Sequence, residues 1–155
     1  MGGVDLLHID LDGNDYWIWK AIEIKPIILI LEYNSIFGFD RAITVPYNPS
    51  FNRTAAHFSN LYWGASLKAL HELSVERGYA FIGCNSAGNN AYFVRKDRMN
   101  KCVKEVSLKG GFVLSKYRES RDKSGALTYL RGEERTEMIR GLPVFNTDSQ
   151  IMEIF

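Results

Sequence analysis

The sequence predicts an α/β fold in which parallel strands carry one antiparallel hairpin strand. Three observations point there. A continuous aliphatic run, Ile27-Ile28-Leu29-Ile30-Leu31, ends in Glu32, Tyr33 and Asn34, the pattern of a strand covered on both faces. A second mostly apolar segment, Val4 to Asp12, ends in carboxylates, and a short helical pattern between the two makes a strand–helix–strand crossover. Further on, two strand-like segments are joined by Ser86-Ala87-Gly88-Asn89-Asn90, turn chemistry that makes an antiparallel hairpin.

The elements follow in order. After Asp12, Gly13 allows a tight turn, and Asn14 or Asp15 can cap a helix over Tyr16 to Ile22. In it, Ile18, Ala21 and Ile22 share one face. Pro26 disfavours helical geometry at Lys25, so the helix ends before it. Residues 35–64 are irregular but hold Phe37, Phe39, Tyr47, Phe51, Phe58, Tyr62 and Trp63. So aromatic a loop is an ordered one, packed as a lid or binding segment. Ser66 to Arg77 is an amphipathic helix, capped by Ser66, striped by Leu67, Leu70 and Leu73, and stopped by Gly78. Strands over 79–85 and 91–95 complete the hairpin. From Lys96 the chain is richer in charge, with Leu127 to Arg140 weakly helical and Gln150 to Phe155 short and apolar. The expected division is a partial α/β domain over 1–97 and a charged extension over 98–155.

Composition excludes several functions. With 19 Lys plus Arg against 18 Asp plus Glu, the 155 residues carry a formal charge of +1, too little for an electrostatic nucleic-acid or membrane binder. The basic residues between Lys96 and Lys104 are interleaved with acids, a solvated face rather than a nucleic-acid site. No apolar run approaches the roughly 20 residues of a membrane span. No signal-peptide pattern opens the chain. Two cysteines, Cys84 and Cys102, make no disulfide framework. A reduced, cytoplasmic protein is expected.

Strand, helix, strand, loop, helix, strand, hairpin strand is the order of the carboxyl-terminal half of a Rossmann-like sheet. Four segments then carry a resemblance: Asp-Leu-Asp-Gly-Asn-Asp-Tyr-Trp at 10–17, Leu-Glu-Tyr-Asn at 31–34, Trp-Gly-Ala-Ser-Leu-Lys-Ala-Leu at 63–70, and Gly-Cys-Asn-Ser-Ala-Gly-Asn-Asn-Ala-Tyr-Phe-Val at 83–94. In combined order they resemble FkbM-type S-adenosylmethionine-dependent methyltransferases over roughly residues 4 to 97. The resemblance implies that Val4 to Asp12 is the fourth strand of a seven-stranded class I methyltransferase sheet. The glycine-rich turn and the ribose-binding acid that hold S-adenosylmethionine in that class have no counterpart in these residues. The implied protein is the carboxyl-terminal half of a methyltransferase domain. Its first strand, Leu6 to Leu11, is then an open sheet edge. A homodimer through this edge, a second chain supplying the missing half, the tail after residue 97 folding over the edge, and a truncated product of a longer gene are the alternatives.

The candidate site lies at the ends of the two parallel strands, where ligands of open α/β sheets bind. Asp10 and Asp12 point one way along their strand, as do Glu32 and Asn34. Their oxygens suit Mg²⁺ or Ca²⁺, and the resemblance favours Mg²⁺, which some class I methyltransferases place there. Asp10, Asp12, Glu32 and Asn34 are therefore the expected metal ligands. The other reading has Asp12 and Asp15 capping the helix and Asp10 meeting backbone amides. Asp12 or Glu32 is the candidate general base for a sugar or polyketide hydroxyl, with His57 in the aromatic loop a further candidate. Asn14, Tyr33, Asn34, Trp63 and Asn85 are the expected substrate-binding residues, although Asn85, Asn89 and Asn90 also suit a plain turn. His8 reads as a core group, His71 as a surface group and Cys84 as a buried thiol.

The function expected is that of an FkbM-like O-methyltransferase protein using S-adenosylmethionine, incomplete without its cofactor-binding half, acting on a small-molecule or sugar acceptor. The alternatives are a non-catalytic dimerisation or interaction module, and a small metal-dependent enzyme using the carboxylates alone.

Overall fold

A computed structural model describes residues 3–116 and 118–155. Strand β1 is Leu6–Ile9, helix α1 Asp15–Ala21 and strand β2 Ile28–Glu32. β1 and β2 are parallel, with Leu6 opposite Ile28 and Ile9 opposite Leu31. The loop that follows holds a single 3₁₀ turn at Ser35–Phe37, strand β3 at Ile43–Thr44 and the one-turn helix α2 at Arg53–Ala56. Helix α3, Leu67–Glu76, precedes β4, Tyr79–Cys84, and β5, Asn90–Arg95. The remainder forms α4 at Leu108–Gly111, α5 at Glu133–Ile139, β6 at Pro143–Asn146 and β7 at Ile151–Ile154.

The larger sheet has the order β1-β2-β5-β4. β5 is antiparallel to both β2 and β4, so β1, β2 and β4 run in one direction and β5 against them. Because β5 lies between β2 and β4, only the β1–β2 ladder is parallel. The α/β class holds, but the sheet is mixed. A second sheet, β3-β6-β7, is wholly antiparallel; its tail strands came from a segment with no clear sequence pattern.

Local signals explain α3. The Ser66 hydroxyl accepts from the Ala69 amide at 3.1 Å, and Gly78, at φ 88°, allows the chain to turn away after Arg77. Leu67, Leu70 and Leu73 are buried, each stabilising the fold by roughly 1.5–3 kcal/mol. α1 departs from its expected face: Tyr16 and Trp19 are buried, while Ile18 is exposed. The two rings bury more area than isoleucine can, and Trp19 meets Tyr79 edge to face at 5.7 Å.

Two apolar clusters result. The first joins Trp19, Leu29, Leu31, Tyr33, Phe81 and Phe93 beneath α3. The second sets Phe37, Ile43, Leu61 and Tyr62 of the aromatic loop against Ile139 and Val144 of the tail. The aromatic loop is therefore ordered because it has a core of its own. No helix among the described residues is long and apolar enough to cross a membrane.

β1 is not covered on both faces. Only Ile9 is buried, Leu6 is 52% exposed, and no described strand pairs with the outer edge of β1. The tail extends the second sheet instead of closing this edge. His8 is correspondingly exposed rather than a core group, its ring 3.3 Å from the Asn90 amide oxygen.

Candidate functional site

Parallel pairing brings the ends of β1 and β2 to one side of the sheet. Beyond β1 the chain runs through Asp10 and Asp12 into α1. Asp15 closes this turn: its carboxylate accepts from the Leu11 amide at 2.8 Å and the Gly13 amide at 3.0 Å. Burial nevertheless pushes its pKa up, against the lowering effect of those amides. Asp12 sits at φ 52°, a left-handed conformation that aspartate tolerates. Its carboxylate accepts from the Arg53 guanidinium at 2.6 Å.

Beyond β2, Glu32 is buried. One carboxyl oxygen accepts from Arg118 at 2.7 Å, and the other has no partner. Burial raises the Glu32 pKa to about 7 against the pull of Arg118, and neighbouring Asp10 pushes it further up. The Arg118 guanidinium also lies over the Trp63 ring, 4.9 Å from its centroid.

The tail is fastened across these strand ends. The Tyr33 hydroxyl donates to the Val113 carbonyl, and the Ser115 amide donates to the Ser35 hydroxyl at 3.1 Å. Buried Arg135 donates to the Ser115 hydroxyl at 2.9 Å. Gly88 lets the tail come this close, since a Cβ there would stand 2.5 Å from the Ser115 nitrogen.

Beside the pair lies a polar cleft of about 710 Å³. Leu11 and Phe51 supply its apolar part, and Asp12, Arg53, Asn60, Glu119 and Arg121 its polar part. The walls come from three separated segments: the Arg121 amide donates to the Ser59 carbonyl at 3.2 Å, and Arg53 donates to Asp12. A second, more open hollow of about 670 Å³ lies along α5 and contains none of the expected site residues.

The expected residues separate on this geometry. Asp10 and Glu32 lie close together, and Asp12 faces the cleft. Asn34 is committed to its loop: its amide donates to the Leu61 and Trp63 carbonyls at 2.9 and 3.0 Å and accepts from Ile36. Asn14 donates to the Asn48 carbonyl at 2.7 Å. Tyr33 is buried, which pushes its hydroxyl pKa far up, and Trp63 is buried beneath Arg118. The Asn85 side chain accepts from the amides of Gly88, Asn89 and Asn90, an organiser of the hairpin turn. His57 is outside the cleft lining, its Nδ1 2.7 Å from the Ser59 hydroxyl, with burial lowering its pKa. His71 is half-buried against Phe81, at 5.8 Å between ring centroids. Burial pushes the Cys84 thiol up to about 11, an unreactive state.

The expected Mg²⁺ ligands do not gather as a metal site. Among the described residues no three His, Cys, Asp or Glu side chains are grouped to hold a metal ion. Arg53 and Arg118 stand where a cation would compensate Asp12 and Glu32.

Arg53, Asn60, Arg118 and Arg135 had no distinguishing local pattern. Arg118 opens the charged run 118–123, which by spacing alone resembles any solvated segment. The fold and site define an α/β chain with a buried carboxylate paired to a partly exposed guanidinium, and a charge-balanced cleft. No protein-family model, curated protein or solved structure matches the chain.

Proposed function

We propose that these 155 residues are the acceptor-side half of an FkbM-like O-methyltransferase domain, and that the cleft beside Asp12 receives a small hydroxylic or sugar acceptor. The observation that carries this reading is the convergence of Asp10, Asp12 and Glu32 at the same end of two parallel strands, beside a cleft. The open edge of β1 supports it too, since a sheet that continues needs an unpaired strand there. S-adenosylmethionine is held by the other half of the sheet, supplied from outside these residues, for instance by a second chain. Within this chain the work is orientation: the cleft walls fix the acceptor, and Asp12 is the one of the expected site carboxylates that lines the cleft. The free thiols of Cys84 and Cys102 suit the reducing cytoplasm.

A specific observation favours a second reading, a non-catalytic interaction module. Arg53 and Arg118 each neutralise a carboxylate that a general base would need. Calorimetry separates the two. The chain is titrated with S-adenosylmethionine alone, and again mixed with the product of the reading frame immediately upstream. Heat only in the mixture, with methyl transfer to an added sugar, is the expected result. Absence of heat in both leaves the interaction module.

A further inference from the structure

The wall that the tail gives to the cleft is built unlike the other two. Between Gly111, the end of α4, and Glu133, the start of α5, no described residue is in a helix or strand, a stretch well past the roughly 12–15 residues of an ordinary loop. None of residues 118–129 belongs to either apolar cluster, whereas Leu130, next in the chain, packs against the second. Leu127 and Tyr129 are 48% and 70% exposed. Apolar burial, which orders the aromatic loop, therefore does not hold this segment.

Its hydrogen bonds divide into two sets. Those within the segment are short and closed on themselves. The Asp122 carboxylate accepts from the Ser124 and Ala126 amides at 2.8 and 3.0 Å, and the Thr128 amide donates to the Ser120 carbonyl at 2.9 Å. The Arg121 guanidinium turns inward, donating to Glu119 and to the Gly125 carbonyl, both at 2.8 Å. Contacts with the body are longer. The Arg121 amide reaches the Ser59 carbonyl at 3.2 Å, the Asn60 side chain reaches Glu119 at 3.4 Å, and Arg53 stands 3.9 Å from Glu119. Lys123 lies 6.0 Å from the Phe58 ring centroid. Polar contacts of this kind, open to water, hold weakly. Both ends are firmer: Glu32 and Trp63 hold Arg118, and the second cluster holds Leu130. Beside Leu130, Tyr129 stands at φ 54°, a strain for a bulky residue that a change of φ relieves.

We infer that residues 119–129 form a flap that swings as one unit between Arg118 and Leu130, and so opens and closes the cleft beside Asp12. Glu119, Arg121 and Gly125, which line the cleft, leave with the flap, while Asp12, Phe51 and Arg53 stay with the body. The inference concerns access to the cleft and is independent of what the cleft receives.

Amide hydrogen exchange of the full chain, followed by nuclear magnetic resonance, tests it at three positions. The Ser115 amide donates to Ser35 in the body, the Thr128 amide donates within the flap, and the Arg121 amide donates across the closure. Arg121 is expected to be at least about tenfold less protected than Ser115 and Thr128. Raising sodium chloride from about 0.05 to 0.5 M screens Arg53 from Glu119, so exchange at Arg121 should accelerate about threefold while the other two stay unchanged. Arg121 as protected as Ser115 would mean a fixed wall. Thr128 as unprotected as Arg121 would mean a segment that melts rather than swings. Either result, or an Arg121 rate indifferent to salt, overturns the inference.

Discussion

The Arg118 guanidinium stands 2.7 Å from the Glu32 carboxyl oxygen, across 86 residues of sequence, with the Trp63 ring beneath it. This contact joins the end of β2 to the tail. It also compensates, incompletely, for burying a carboxylate whose second oxygen has no partner.

Replacing Arg118 with Met removes that compensation. The Glu32 pKa should then rise above about 7, and the loss of stability should depend on pH. Arg118 is 27% exposed, so water replaces part of what is lost, and about 2 kcal/mol is expected near pH 8. Near pH 6 the carboxyl is largely protonated and the loss should be smaller. Urea unfolding at the two pH values checks this.

Glu32→Gln tests the same carboxyl from the other side. Its pKa is raised from 4.5 to about 7, so the folded chain holds this proton more tightly than the unfolded chain. The stability linked to the group is fully present below about pH 4.5 and is lost as pH rises through about 7. The stability of Glu32→Gln relative to wild type should therefore increase between pH 5 and 8, by roughly 3 kcal/mol at most. A difference that stays flat over this range would contradict the raised pKa.

Asn34→Ala should be costly although it removes no apolar contact. Two carbonyls, of Leu61 and Trp63, and the Ile36 amide lose their partner inside the fold. About 3 kcal/mol of destabilisation is expected, read as a lower urea midpoint with an unchanged slope.

Gly88→Ala and Gly125→Ala form a contrasting pair. Both positions have positive φ, 74° and 88°. A Cβ at Gly125 meets nothing within 4 Å, so backbone strain alone costs about 1 kcal/mol. At Gly88 it would meet the Ser115 nitrogen at 2.5 Å and the Val113 carbonyl at 2.8 Å. Neither backbone group can yield without the tail lifting. Gly88→Ala should cost at least about 2 kcal/mol more than Gly125→Ala, and it should open the chain near Arg118 to limited proteolysis.

Elements defined by nearest neighbours were legible in the sequence. The aliphatic run at Ile27 to Leu31 specifies β2, Ser66 and Gly78 bound α3, and the Asn85 to Asn90 turn joins β4 to β5. The order of these elements was enough to pair β1 with β2 in parallel, and so to gather the carboxylates at one end of the sheet. The face of α1 differs from the one its spacing predicts, because spacing favours Ile18 while buried area favours Trp19.

The sequence by itself determined the strands, the helix ends and the side of the sheet on which the acids gather, because periodicity, caps and turns act over a few residues. Tertiary structure alone decided which cation meets which acid, and which of the expected site residues are committed to holding loops. It also decided that β6 of the tail pairs with β3. Such pairings span from about 40 to more than 100 residues. They leave no local signature, because whether a charge is buried or solvated depends on what the rest of the chain places above it.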